Sequence, residues 1–399
     1  LAVMAARGVG AWRAGERDAG RDGRLELAAW AMLALPVALA LVAALAPPTG
    51  KDALTYHRAV PKAYLAAEGI VELSENIPSY FALGAEMHGL WAMLLGGLAS
   101  HRVGEVAFGA VLFAFFPLLL ATVYGWARER ALGRPEALIA AGLVAVVPTA
   151  YDVAANAYVD LTFALYVTLA MHAAARWWTT LEATRLAYLA LAVGFALSVK
   201  LITVFVVFPL LLVVLLRAHE TEGERHGAEP AAGRLALAGL AALAIGAALG
   251  SPWYLRTWVW TGSPLFPFYV NLWPASGAGW DAERSVLYQQ FLFAFGGERR
   301  LLEYLAAPVR LSLFAQPEEA ALYDGVLGIS FLAGVVLVGW SLWKRALDRE
   351  LGIAAGAAAV YVLFWLASSQ QLRFLLPALP AFALAIAGSP ARRRVLAGL

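Results

Sequence analysis

Cysteine is absent from all 399 residues, which excludes disulfides, thiolate nucleophiles and cysteine-ligated metals. Recognisable catalytic signatures are missing too. There is no phosphate-binding P-loop, no G-x-S-x-G elbow, no H-E-x-x-H and no cluster among the six histidines. The formal net charge of +2 is too small to argue for a nucleic-acid partner. No internal repeat is visible, and many transporters are built on inverted repeats. What remains is apolar. Hydrophobic residues make up 61% of the chain and mean hydropathy is +0.69, whereas a soluble domain is about 45–50% apolar. Apolar runs of about 15–22 residues recur from end to end, as in a polytopic α-helical membrane protein.

The runs fall at 27–46, 105–126, 136–150, 158–178, 185–199, 201–217, 233–250, 324–343, 351–367 and 373–389, with an eleventh, ambiguous stretch at 80–99. The first ends in Pro47-Pro48 without an A-x-A-like cleavage site, so it is expected to be a retained helix rather than a signal peptide. The 185–217 stretch is too long for one ordinary span and is expected to break at Ser198-Val199-Lys200. Orientation follows from Lys and Arg. With the N-terminus cytoplasmic and 80–99 surface-lying or re-entrant, the segments 1–26, 127–135, 176–185, 217–234, 344–350 and 390–399 face inwards. They hold 19 of the 30 basic residues, among them Arg7, Arg128, Arg130, Arg134, Arg176, Arg225, Arg345 and Arg392. A full crossing by 80–99 would invert every later loop. Glu86 and His88 also fit a segment that stays off the bilayer centre, where a charge costs roughly 2.5–3.5 kcal/mol. Two large loops, about 47–104 and 251–323, then lie outside. The second is rich in aromatics and proline, and 286–295 and 300–314 read as short interfacial helices. The glycines at 84, 89, 96 and 97 read as close helix packing.

With this topology the acids sort by side. Asp52 follows the first span, and Asp152 and Asp160 flank the short outside turn 151–160. Asp160 also opens an apolar helix, at the positive end of its dipole. Two acids from separate outside loops facing one cleft suit a general base and a group that positions an acceptor or a metal. The structural alternative is a helix-capping Asp160 and a solvated Asp52. Few cations lie outside. Lys200 sits between two helices, Arg256 follows Trp253-Tyr254-Leu255, and Arg373 begins the last helix. Cations at a membrane edge suit a lipid phosphate or simply snorkel to headgroups. His57 and Tyr56 line the same loop as Asp52, where His57 can orient the acid or an acceptor. A single Asp52 leaves metal dependence open, since no ligand set of characteristic spacing is visible.

These residues, in order, resemble a known family. Asp52-x-x-x-Tyr56-His57-x-x-x-Pro61-x-x-Tyr64 resembles the first outside loop of the GT-C superfamily, the polyprenyl-phosphate-sugar-dependent membrane glycosyltransferases that include aminoarabinose transferases and protein O-mannosyltransferases. The stretch Pro78-Ser79-Tyr80-Phe81, the Tyr158-Val159-Asp160-Leu161 helix head, Trp253 through Pro267, and Gln371-Leu372-Arg373-Phe374-Leu375-Leu376-Pro377 resemble further segments in the family's order. There are departures. Lys51 precedes Asp52 where an acidic pair is common, and Phe374 stands where Tyr is common. The chain stops soon after its last apolar run, unlike the oligosaccharyltransferase branch with its soluble acceptor-peptide module. The resemblance implies an all-α polytopic membrane protein of GT-C type with about 10–11 transmembrane helices. Its organisation would be a basic segment 1–26, one catalytic membrane domain over 27–389 and a basic tail 390–399. It implies transfer of a sugar from a polyprenyl phosphate, usually with inversion. Asp52 would be the base and Asp160 (or Asp152) the assisting acid, while Lys200, Arg256 and Arg373 would hold the donor phosphate. The expected location is the inner membrane of a bacterium with GC-rich DNA, both termini cytoplasmic. A transporter or lipid flippase is the alternative. It predicts charges and broken helices at mid-membrane, whereas the candidate acids here lie at helix ends on one face.

Overall fold

A computed structural model describes residues 23–223, 232–275, 277 and 279–390. The predicted basic segment 1–26 lies outside the described residues up to residue 22, as do Arg225 and the tail from 391. Among the described residues the chain is helical, with no strand. The expected apolar runs are largely helical, although 324–343 is helical only from Ile329, and among the described residues five helices, or six if the bent pair is one span, are long and apolar enough to cross a membrane.

Helix α1 (Gly23–Ala44) leads into the first large loop, which carries α2 (Ala59–Ala66) and α3 (Gly84–Gly97). Ser100 then caps α4 (His101–Glu129), its hydroxyl oxygen accepting from the Val103 N–H. The run expected as one span at 136–150 is two helices, α5 (Arg134–Ala145) and α6 (Pro148–Ala155), bent by 66°. Pro148 supplies the reason. It lacks an N–H and drives the preceding Val147 into an extended conformation. Residues 151–155 of the expected outside turn are therefore helical. The 185–217 stretch breaks where expected. Helix α8 (Ala183–Val199) ends before an extended Lys200, and α9 (Val204–Gly223) follows a 3-10 turn at Leu201–Thr203. The rest of the bundle is α7 (Asp160–Thr180), α10 (Ala232–Gly250), α14 (Leu332–Trp343), α15 (Arg349–Ala367) and α16 (Leu379–Gly388). Between them, α11 (Pro252–Thr261), α12 (Ala282–Phe293) and α13 (Leu301–Leu313) fill the second loop. Helices α12 and α13 match the two expected short helices, and α13 keeps Leu302, Leu305 and Val309 exposed along one stripe.

The core is built around α7. It is apolar on all sides and buried from Asp160 to Ala175, enclosed by α4, α8, α9 and α15. A helix hydrophobic all round belongs in the interior. At one end of the bundle a polar knot fastens α4, α7 and α15. Glu350, fully buried, accepts from Trp126 Nε1 at 2.9 Å and from Arg176 Nη1 at 3.2 Å. Arg130 reaches both Glu350 and, with two nitrogens, Asp348. A buried carboxylate needs such donors to offset desolvation.

Helix α3 runs antiparallel along the first half of α4, with Gly89 on Phe108 and Gly96 on Gly104. At 1.5 Å per residue its 14 residues reach about 21 Å, so it stops well short of the far end of α4. A Cβ at Gly104 would lie 2.8 Å from the Met93 carbonyl and 3.2 Å from Gly97 N, whereas a Cβ at Gly97 meets open space, so the close approach there requires glycine at 104 but not at 97. Gly104→Val is expected to lower the thermal unfolding midpoint in detergent, an overpacking cost of about 1–3 kcal/mol. Gly97→Ala should leave the midpoint unchanged.

Candidate functional site

The functional constellation forms at the bundle end opposite the Glu350 knot, where the N-terminus of α7 meets the α8–α9 break and the start of the last apolar segment. The first loop docks there through the α6–α7 connection. Asn156 Oδ1 accepts from the N–H groups of Thr49 and Gly50, and the Asp52 N–H donates to the Tyr158 hydroxyl at 3.3 Å. Gly50 lies flat on the Tyr158 ring, where a Cβ would come within 2.8 Å. Directly after Asp52 the chain makes a single π-helical turn, Ala53–His57, closed by Arg58 N–H donating to the Ala53 carbonyl at 3.0 Å. Such turns are rare and concentrate at functional sites.

Arg373 comes from the 3-10 turn Leu372–Ala378. Its Nη1 donates to Asp52 Oδ2 at 2.6 Å and its Nε to Gln371 Oε1 at 3.0 Å, and the guanidinium lies over the rings of Tyr158 and Phe374. Lys200, at the α8–α9 break, places Nζ 2.7 Å from Asp160 Oδ1 and 4.6 Å from the centre of the Phe374 ring. Two carboxylate–cation pairs thus share one aromatic ring. Asp160 is fully buried, and its Oδ2 has no hydrogen-bond partner among the described residues. Burial pushes the Asp52 carboxyl up. Arg373 beside it, with His57 and Lys200 further off, outweighs burial and holds it below its usual value. Burial also drives the Tyr56 phenol far up and the Tyr288 phenol to about 12, so both stay neutral.

Aromatic side chains wall the site. Tyr56 meets the edge of Phe81, Phe81 stacks on Phe268 at 5.6 Å, and Phe268 stacks on Tyr288 at 5.6 Å. The wall runs from the loop of Asp52 to α12 in the second loop.

The structure therefore brings together Asp52, Asp160, Lys200 and Arg373, with Tyr56 and His57 in the adjoining turn. Two expected residues stand elsewhere. Arg256 is spent on a staple. It donates to the Tyr64 hydroxyl (3.1 Å) and to the Ser79 and Phe81 carbonyls (both 2.9 Å), between the rings of Trp253 and Trp260. Asp152, exposed on α6, accepts from Asn156 Nδ2 at 2.9 Å, and so orients the amide that holds Thr49 and Gly50. Sequence reasoning missed Tyr158, Asn156 and Gln371 as supports, although all lie in motifs already singled out. It also missed the contact of His57 Nδ1 with Glu86 Oε1 at 2.6 Å. Its signal was a lone acid in the apolar run 80–99. Among the described residues no group of three or more His, Asp or Glu side chains is arranged to hold a metal ion.

The dolichyl-phosphate-mannose-protein mannosyltransferase family profile matches residues 90–258, which include Asp160 and Lys200. The fold is similar to crystal structures of ArnT from Cupriavidus metallidurans. The apo structure aligns with a TM-score of 0.53 and the one bound to undecaprenyl phosphate with 0.54. Both are 16% identical over 89% of this chain. The chain spans 58% of the length of those relatives. No curated protein sequence matches it significantly.

Because the folded-state pKa of Asp52 lies below the ordinary 3.8, its stabilising contribution is present above that value and is lost as pH falls through the folded pKa. Arg373→Gln removes the main opposing cation and leaves burial dominant. The folded pKa of Asp52 then rises above the ordinary value, so the variant should be less thermally stable than wild type near neutral pH in nanodiscs, by a difference that shrinks on acidification as Asp52 protonates. Adding Asp52→Asn should abolish that difference.

Proposed function

We propose that this chain, which has the GT-C fold, is a membrane glycosyltransferase that moves a sugar from a polyprenyl phosphate to an acceptor. The observation that carries this reading is the meeting of the Asp52–Arg373 and Asp160–Lys200 pairs around Phe374. The helix ends opposite the site carry Arg128, Arg130, Arg134, Arg176, Arg185, Lys344 and Arg345, which favours a cytoplasmic face there and an extracytoplasmic site. The termini would be cytoplasmic and the membrane a bacterial inner membrane.

In this reading the donor phosphate docks on Arg373 and Lys200. The acceptor hydroxyl or amine attacks the anomeric carbon from the opposite side. A new bond forms from acceptor to carbon, and the bond from that carbon to the phosphate oxygen breaks. The lipid phosphate leaves with one more negative charge, which the two cations stabilise. The acceptor proton passes to Asp52. No acid is needed to protonate a phosphate leaving group. Asp160 keeps Lys200 charged and in place, Arg256 braces the aromatic wall, Tyr56 shapes the acceptor side, and the buried His57 backs it. The ligand bound in one of the similar solved structures, undecaprenyl phosphate, belongs to the same chemical class as this donor.

Sugar transfer in nanodiscs, assayed with a panel of polyprenyl-phosphate sugars and membrane-extract acceptors, tests the reading. Transfer should occur in wild type and be abolished by Asp52→Asn in folded protein. Transfer that survives would remove Asp52 as base. No turnover with any donor would favour the transporter alternative.

The geometry has a consequence for binding. The Asp52 carboxylate already takes one of the five N–H donors of Arg373 and its charge opposes a phosphate there, so acid and donor compete for the cation. Asp52→Asn is therefore expected to bind a short-chain polyprenyl phosphate more tightly than wild type, and Arg373→Gln more weakly, by calorimetry in nanodiscs. Equal affinity in wild type and Asp52→Asn would show that the pair does not open on binding.

A further inference from the structure

Glu86 takes no part in the chemistry just described, yet its side chain is as enclosed as that of Asp160. It lies in the first turn of α3, with 1% of its side chain exposed, and its Oε1 sits 2.6 Å from His57 Nδ1, equally enclosed. A carboxylate so buried costs several kcal/mol unless a partner compensates it, and His57 is that partner. Enclosure also rules out a direct role, since neither an acceptor nor a phosphate reaches it. What it can do is hold.

His57 is the last residue of the π-helical turn that begins directly after Asp52. Its ring lies 4.0 Å from that of Tyr56 and 5.6 Å from that of Tyr158, the residue whose hydroxyl receives the Asp52 N–H and whose ring underlies Arg373. A π turn is intrinsically uncommon and needs side-chain anchors to persist. Asp52 pulls on it from one end through Arg373, and Glu86 fixes the other through His57. The base of α3 is itself closely packed. A Cβ on Gly84 would fall 2.5 Å from Ser198 Oγ, so α3 is pressed against the end of α8, two residues before Lys200. One helix start thus references both halves of the charge cluster.

We infer that Glu86 is a positioning residue for the proposed transfer, acting through His57 to hold the turn that presents Asp52. The inference rests on the glycosyltransferase reading for its kinetic arm only. A base displaced by about 1 Å loses about 10²-fold in rate.

The experiment compares Glu86→Ala, Glu86→Gln, His57→Ala and the double variant His57→Ala/Glu86→Ala in nanodiscs, by transfer kinetics and by hydrogen exchange of peptides covering 52–58. In Glu86→Ala, kcat should fall about 10²-fold while KM for the lipid donor stays near wild type. Glu86→Gln keeps an oxygen to accept from Nδ1–H and should recover part of the rate. It also carries the test if the alanine variant does not fold. The double variant should be no slower than His57→Ala, because residues acting through one another are non-additive. Peptides covering 52–58 should exchange faster in Glu86→Ala while those of α15 stay unchanged. A wild-type kcat in Glu86→Ala, multiplying losses in the double variant, or unchanged exchange at 52–58 would each overturn the inference. If wild type transfers no sugar from any donor, the glycosyltransferase reading fails separately. Exchange at 52–58 then decides alone whether Glu86 holds the turn.

Discussion

The ion pair between Asp52 and Arg373 joins positions 321 residues apart, and the site end of the molecule is organised around it. One partner comes from the loop after the first helix, the other from the turn before the last. Neither group can be buried alone at tolerable cost, because a desolvated charge demands a partner. The second pair, Asp160 with Lys200, repeats the arrangement from the middle of the chain, and Phe374 sits against both cations. The result is a compact cluster of alternating charge, self-neutralised in the structure described. A phosphate arriving there meets two cations already desolvated and oriented, and it competes with a carboxylate for each of them. That links donor capture to release of the base.

The remainder of the fold keeps the two pairs in register. Helix α7 is buried along nearly its whole length and carries Asp160 at its head, where the helix dipole favours an anion. At its tail, Arg176 ties into Glu350, together with Arg130 and Trp126. The bundle is therefore fastened at the opposite end from the site, and the site end is left to loops. Those loops are stiffened locally, by Asn156 under Gly50, by Arg256 between two tryptophans, and by the aromatic wall from Tyr56 to Tyr288.

Much of the helical framework was legible in the sequence because burial in lipid and burial in protein select the same apolar composition. The apolar helices, the break at Lys200 and the two short helices of the second loop follow from run lengths and charge placement. The bend at Pro148 was readable in principle, since proline restricts its predecessor, but hydropathy alone runs straight through it. At the site, Asp52, Asp160, Lys200 and Arg373 were legible as a charged set on one face. Their pairing was not, because Lys200 and Arg373 each had several plausible uses and sequence separation gives no distance. Arg256 looked equivalent to them by composition. Only the fold shows its donors occupied by Tyr64, Ser79 and Phe81. Glu86 was noticed as an oddity in an apolar run. Its partner His57 lies in a different element, so nothing in the local sequence connects them.

The central claim is that the two cations receive a lipid phosphate and that Asp52 is freed by it. The most direct measurement is a structure of the protein in lipid nanodiscs with a polyprenyl phosphate bound. The account predicts phosphate oxygens about 3 Å from the Arg373 guanidinium and the Lys200 ammonium, with the Asp52 carboxylate turned away from Arg373 towards the Tyr56 wall. A phosphate seated elsewhere, with the Asp52–Arg373 pair intact, would contradict it.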